Sequence, residues 1–139
     1  MKILIVGNGG REHALLWKLR RDAPDAEFYI TKGNGGTADL ATSLPLAPTD
    51  VAALAAWAES NAIDLTVVGP EAPLDAGIVD VFIRRGLAIF GPTRDAAAIE
   101  SSKAYAKSLM ARAGVPTAAY RSFTEIGAAE AYIREMGAP

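Results

Sequence analysis

Cysteine is absent from the 139 residues, which excludes disulfides, zinc–thiolate sites and cysteine nucleophiles. Histidine occurs once, as His13, so a metal site built from several histidines is excluded as well. Neither sign of charge predominates: 14 Lys and Arg stand against 16 Asp and Glu, a formal net charge of −2. With no basic run, nucleic acid is not expected as a partner. No stretch approaches the roughly 18 consecutive apolar residues of a membrane span, so no membrane partner is expected either. The first seven residues are too short for a secretory leader and run straight into a glycine turn. These absences together predict a cytoplasmic protein. What is present is a half-hydrophobic composition, enough for one domain with a sizeable core and too little for two full ones.

The apolar run Lys2–Val6, closed by glycine, predicts a strand buried on both faces. Gly7-Asn8-Gly9-Gly10 follows, and then a helix over about 11–21 with Ala14, Leu15, Trp17 and Leu19 on its apolar side and Pro24 as its stop. A second strand over 27–30 ends in another glycine loop, Gly33-Asn34-Gly35-Gly36, and a short strand is expected over 43–46. Thr49 or Asp50 caps a helix reaching about residue 61, and Leu65–Val68 is a further strand, closed by Gly69-Pro70. A helix over 76–85 stops at Gly86, and a short strand over 88–90 runs into Gly91-Pro92. Strands alternating with helices at this pace predict βαβ crossovers: an α/β, Rossmann-like parallel sheet with helices on both faces.

After Pro92 the rhythm changes. Helices over 96–99 and 102–113 come without a strand between them, and the second stops at Gly114 with Pro116 behind it. Tyr105, Ala106, Leu109, Met110 and Ala113 supply that helix's packing face. A strand over 119–123 is expected, then a helix from a Thr124 cap to about Met136, and a stop at Gly137-Ala138-Pro139. The chain therefore divides into a domain over 1–100 and the opening of a second over 101–139.

A strand, a glycine-rich turn and a helix in succession can hold an anion, because the glycines let backbone N–H groups approach it and the helix N-terminus adds positive partial charge. A dinucleotide fingerprint would place its third glycine at position 12 and an acid at the end of the second strand. Glu12 and Thr31-Lys32 stand there instead, which argues against NAD. Arg11, just inside the helix, suits a phosphate monoester, to which it can add a charge-assisted bidentate contact. The plain alternative is that the glycines only make a tight turn. His13 lies in the same helix, either filling the helix edge or touching substrate; without a carboxylate partner it does not argue for acid–base catalysis.

Val68-Gly69-Pro70-Glu71 lies at the C-terminal end of a central strand, the edge at which open α/β sheets bind ligands. Glu71 could accept hydrogen bonds from sugar hydroxyls or an amine there, or could merely favour the start of the next helix. Lys103 and Lys107 share a helical face, mildly unfavourable unless an anion lies between them. Glu100, three residues before Lys103, offers an ordinary surface ion pair instead.

These motifs, taken in order, resemble one family. Gly7-Asn8-Gly9-Gly10-Arg11-Glu12-His13-Ala14-Leu15, Gly33-Asn34-Gly35-Gly36-Thr37 and Ile63 to Leu74 are followed by Ile89-Phe90-Gly91-Pro92-Thr93, Ser102-Lys103 with Lys107, and Gly114-Val115-Pro116-Thr117-Ala118. The set is similar to the N-terminal part of the phosphoribosylamine–glycine ligase (glycinamide ribonucleotide synthetase) family of the ATP-grasp superfamily. Lys32 departs from the pattern, standing where the family carries proline.

The resemblance implies a purine-pathway ligation in which ATP, 5-phosphoribosylamine and glycine give glycinamide ribonucleotide, ADP and phosphate through a glycyl phosphate. It implies that the first domain is the substrate-binding pre-ATP-grasp layer and that 101–139 is the truncated start of an ATP-grasp domain. Asn8, Gly9, Gly10 and Arg11 would face phosphoribosylamine, Glu71 its ribose or amine, and Lys103 the phosphates of ATP. The ligands of Mg2+ or Mn2+, the catalytic core and a C-terminal domain would belong to chain that is missing here, so no catalytic or metal-binding residue is assigned. The 139 residues alone are expected to be inactive. The alternatives are another ATP-grasp enzyme, such as a biotin carboxylase, and a nucleotide-binding Rossmann module.

Overall fold

A computed structural model describes residues 1–137, which form two compact units, one over Met1–Ser101 and one beginning at Ser102. The first unit is built on a parallel sheet. Its centre is β1 (Lys2–Val6), paired with β2 (Glu27–Thr31) on one side and β4 (Leu65–Val68) on the other. Outside β2 lies β3 (Thr42–Leu44), and outside β4 lies β5 (Ile89–Phe90), giving the order β3-β2-β1-β4-β5.

The unbroken apolar run of β1 is explained by packing on both faces. Leu4 and Val6 of β1, with Val68 of β4, meet Leu54, Ala55 and Ala58 of α2 (Val51–Ser60) and Ile78, Val79 and Phe82 of α4 (Ile78–Arg84). Ile3, Ile5, Phe28, Ile30 and Val67 point the other way, onto Leu16 of α1 (Gly10–Asp22). Ile3, Leu4, Ile5 and Val6 are each at most 1% exposed, a burial worth about 1.5–3 kcal/mol per side chain.

Several expectations need correction. In α1 the inward residues are Glu12 and Leu16, flanked by half-buried Leu15 and Leu19, while Ala14 and Trp17 are exposed. Trp17 is covered from outside by Arg21, whose guanidinium carbon lies 4.7 Å from the ring centroid. The helix expected over 76–85 is two: α3 (Glu71–Asp75) and α4, separated by Gly77 at φ +81°. Proline hid the first of them. Pro70 and Pro73 flank its start, yet proline is tolerated in a helix's first turn, where the N–H has no intrahelical acceptor. The helix over 96–99 is the longer α5 (Arg94–Ser101), started by Asp80, whose carboxylate accepts from the Arg94 N–H at 2.9 Å. Asp50, not Thr49, caps α2, accepting from the Ala53 N–H at 3.2 Å. Lys32 takes φ +49° and donates its N–H to the Leu44 carbonyl at 2.8 Å; a proline there could do neither.

The second unit holds α6 (Lys103–Ala113), capped by Ser102, and α7 (Ile126–Met136), which follows Glu125 rather than Thr124. In α6 Ala106 is buried, Leu109 and Met110 are half-buried, and Tyr105 and Ala113 are exposed. No strand forms over 119–123. Side chains hold this segment instead: Lys107 donates to the Thr117 hydroxyl at 2.6 Å and the Ala118 carbonyl at 3.0 Å, and Phe123 rests 5.4 Å from the Tyr132 ring. Gly137 ends α7 as expected; Ala138 and Pro139 lie outside the described residues. No helix among the described residues is long and apolar enough to cross a membrane.

Candidate substrate-binding site

In the order β3-β2-β1-β4-β5 the chain reverses its direction of travel between β1 and β4, and ligands of open α/β sheets bind at that switch, outside the carboxyl ends of the strands. Three loops meet there: Gly7–Gly9 after β1, Lys32–Thr37 after β2, and Gly69-Pro70 after β4.

The turn after β1 is tied down before any side chain can reach a ligand. Gly7, at φ +123°, donates its N–H to the hydroxyl of fully buried Thr31 at 2.8 Å, and that hydroxyl donates back to the Gly7 carbonyl at 3.1 Å. Thr31 stands where a dinucleotide-binding domain would place its ribose-binding acid. Here its hydroxyl is spent inside the protein.

Glu12 does more than replace a glycine. Its side chain turns inward, is 4% exposed, and accepts the Gly9 N–H on Oε2 at 2.7 Å. That is half of a capping box, because Gly9 has no side chain with which to return the bond. The carboxyl group fills the gap between the loops after β1 and β4. A Cβ on Gly7 would lie 2.5 Å from Glu12 Cγ, and one on Gly69 would lie 2.0 Å from Glu12 Oε1. Both glycines are required by the side chain between them.

Among the described residues the N–H groups of Gly10, Arg11 and Glu12 meet no backbone or side-chain acceptor, the first intrahelical bond being His13 N–H to the Gly9 carbonyl. These are the orphan donors of a helix start. Arg11 is exposed and donates from Nη1 to the Gly69 carbonyl, so one of its five donors bridges the two loops and the rest remain for other partners. The second glycine loop is ordered by Asn34, whose Oδ1 accepts from Gly36 N–H at 2.9 Å while its Nδ2 donates to the Asn8 carbonyl at 2.8 Å. His13 packs on this loop, with Cε1 2.5 Å from the place a Cβ on Gly36 would take.

Of the residues singled out from sequence, Asn8, Gly9, Gly10 and Arg11 thus lie together at the switch point. Glu71, two residues beyond Gly69, is exposed at the first position of α3 and makes no cap. Lys103 is the exposed first residue of α6, in the other unit. Lys107 directs two of its three donors to the Thr117 hydroxyl and the Ala118 carbonyl. Glu12, Thr31 and Asn34 went unassigned from sequence. Only Glu12 carried a usable signal, the cap-to-third-residue spacing from Gly9. No three His, Cys, Asp or Glu side chains among the described residues cluster as a metal site would.

Comparison with known proteins matches residues 1–100 to the phosphoribosylglycinamide synthetase N domain and residues 101–139 to that synthetase's ATP-grasp (A) domain. The chain is 55% identical over 140 residues to a phosphoribosylamine–glycine ligase of Ralstonia nicotianae and 52% identical over 141 residues to one of Vibrio cholerae. Each alignment takes in all of this chain and 33% of the relative, so the chain spans about a third of the length of the curated relatives it matches. Among solved structures, a phosphoribosylamine–glycine ligase of Thermotoga maritima matches with a TM-score of 0.69 at 24% identity, over 97% of this chain and 30% of that one. The biotin carboxylase domain of a Hydrogenobacter thermophilus 2-oxoglutarate carboxylase, in complex with MgADP and bicarbonate, reaches 0.72 at 16% identity, over 99% of this chain and 33% of that one. These structural likenesses establish a shared fold, whereas the sequence matches go further: the chain belongs to the phosphoribosylglycinamide synthetase family.

Proposed function

We propose that this chain is the sugar-phosphate-binding, N-terminal part of a phosphoribosylamine–glycine ligase. In that reaction the glycine carboxylate takes the γ-phosphoryl group of ATP, releasing ADP. The amine of 5-phosphoribosylamine then attacks the acyl carbon and expels phosphate. The observation that carries the assignment to the first domain is the trio of unpaired N–H groups at Gly10, Arg11 and Glu12, set at the switch point beside an exposed guanidinium. Such a cradle suits the dianionic ester of a sugar phosphate.

In this reading Asn8, Gly9, Gly10 and Arg11 hold phosphoribosylamine and Glu71 accepts from its ribose or amine. Lys103 in the second unit serves the ATP phosphates. We place the domain division at 100/101 and the protein in the cytoplasm. ATP and Mg2+ or Mn2+ are required by the reaction as a whole. The described residues offer no cluster of metal ligands, so no metal-dependent step is assigned to this chain, and the 139 residues alone are proposed to lack ligase activity.

The test is a chimaera in which this chain replaces the matching third of the Ralstonia nicotianae ligase. It should ligate glycine to phosphoribosylamine. Arg11→Ala and Glu71→Gln within it should raise KM for phosphoribosylamine about tenfold and leave those for ATP and glycine unmoved, as the loss of a charged hydrogen bond predicts. An unchanged KM for the sugar phosphate in both variants would overturn the site. ATP-dependent ligation by the 139-residue chain alone would overturn the claim that it is inactive.

A further inference from the structure

Glu12 holds one carboxylate oxygen in reserve. Oε2 is taken by the Gly9 N–H, but Oε1 makes no hydrogen bond among the described residues. It is not sealed in either: the buried side-chain polar atom left without a partner among the described residues is Thr66 Oγ1, not an oxygen of Glu12. A side chain 4% exposed overall therefore keeps one acceptor open, between the loops after β1 and β4 and against the backbone of Gly69. It sits in the same turn as the unpaired N–H groups of Gly10 and Arg11. The site thus offers donors for an anion and, next to them, a lone acceptor that can only receive.

We propose that Glu12 is a specificity-determining residue whose Oε1 accepts a hydrogen bond from a hydroxyl or amine of the bound sugar ester, selecting a phosphorylated polyol over a bare anion. The inference rests on the sugar-phosphate reading above and deepens it. Oε2 fixes the carboxyl plane through Gly9, and the two side-chain-free glycines fix its position, so Oε1 is presented without loss of rotamer freedom on binding. A ligand without a donor at that point gains nothing from Oε1 and meets its negative charge. A site built around such a group discriminates strongly against analogues that cannot satisfy it.

The experiment compares ribose 5-phosphate with inorganic phosphate as probes of the 139-residue chain, by calorimetry and by the NMR shift of the Glu12 side-chain carboxyl carbon. Glu12→Gln is nearly isosteric. Its amide oxygen can take the Gly9 N–H, which turns an NH2 donor toward the ligand where Oε1 was. Ribose 5-phosphate should then bind about tenfold more weakly, the worth of one charge-assisted hydrogen bond, while inorganic phosphate binds equally well or more tightly. In the wild-type chain the Glu12 carboxyl carbon should move with ribose 5-phosphate and stay still with phosphate. Affinities for both probes unchanged from wild type in the variant, or a parallel loss of both, would make Glu12 a strut and overturn the inference while the sugar-phosphate reading stands. Should Glu12→Gln not fold, the carboxyl carbon decides, and its silence with ribose 5-phosphate overturns the inference. A wild-type chain that binds neither probe overturns the sugar-phosphate reading and this inference with it.

Discussion

The hydroxyl of Thr31 both receives the Gly7 N–H, at 2.8 Å, and donates to the Gly7 carbonyl, at 3.1 Å, so the end of β2 closes the first turn of the β1–α1 crossover. Thr31→Val keeps the shape and removes both bonds, leaving a buried N–H and C=O unsatisfied. It should cost about 1–3 kcal/mol in urea unfolding. Thr31→Ser keeps the hydroxyl and loses one buried methyl, about 0.8 kcal/mol. Equal losses in the two variants would show that packing, not the paired bonds, is what matters at this position.

Gly69 is crowded rather than strained. A Cβ there would lie 2.0 Å from Glu12 Oε1 and 2.6 Å from its Cδ, so Gly69→Ala must displace the carboxyl group from its place between the loops. We expect a loss of about 1–3 kcal/mol. Glu12→Ala opens the same space at the cost of the bond to Gly9. The double variant should therefore be more stable than the two single losses predict, by about 0.5 kcal/mol or more. Strict additivity would mean that the two residues do not compete for this space.

That relationship also marks how far the sequence could be read. The apolar runs of β1 and β4 and the glycine turns behind them made the parallel sheet legible, because both follow from local pattern. The departure from a dinucleotide fingerprint at Glu12 was legible too, but its inward turn was not: the gap it fills is shared with Gly69, far along the chain and brought near only by the β1–β4 pairing. Thr31 and Asn34 were silent for the same reason, since each acts on a loop that another strand delivers. Trp17 misled because hydrophobicity alone put it on the inner face of α1, where the structure places Glu12 and Leu16. The expected strand over 119–123 failed because its sequence suits a strand but no neighbouring strand pairs with it among the described residues.

Thr66 is a buried group without a use in the fold. Its side chain is 1% exposed, and its hydroxyl has no hydrogen-bond partner among the described residues. It lies on β4 opposite Leu4 of β1 and Ile89 of β5, surroundings that Val would match in shape. Thr66→Val should raise stability by about 1 kcal/mol, because it removes the desolvation cost of an unpaired hydroxyl. A drop in the urea midpoint would show that the hydroxyl is satisfied after all.

Tyr29 supplies the pH-dependent prediction. Its hydroxyl donates to Glu27 Oε2 at 2.9 Å while its ring meets Trp57 edge-on, with centroids 5.1 Å apart. The hydrogen bond to Glu27 holds the phenol above its ordinary value of 10.0, with smaller contributions from burial and from the Glu27 charge. A raised value in the folded state means that the native protein retains this proton more tightly than the unfolded chain. The associated stability is therefore complete below pH 10.0 and is lost as pH rises through the folded-state value. NMR titration of the Tyr29 ring carbon bearing the hydroxyl should show an inflection above 10.0. Glu27→Gln should bring that inflection down and flatten the alkaline fall in stability, giving up at neutral pH the small stabilisation that the bond supplies there. An inflection that ignores the substitution would show that the carboxylate does not hold the proton.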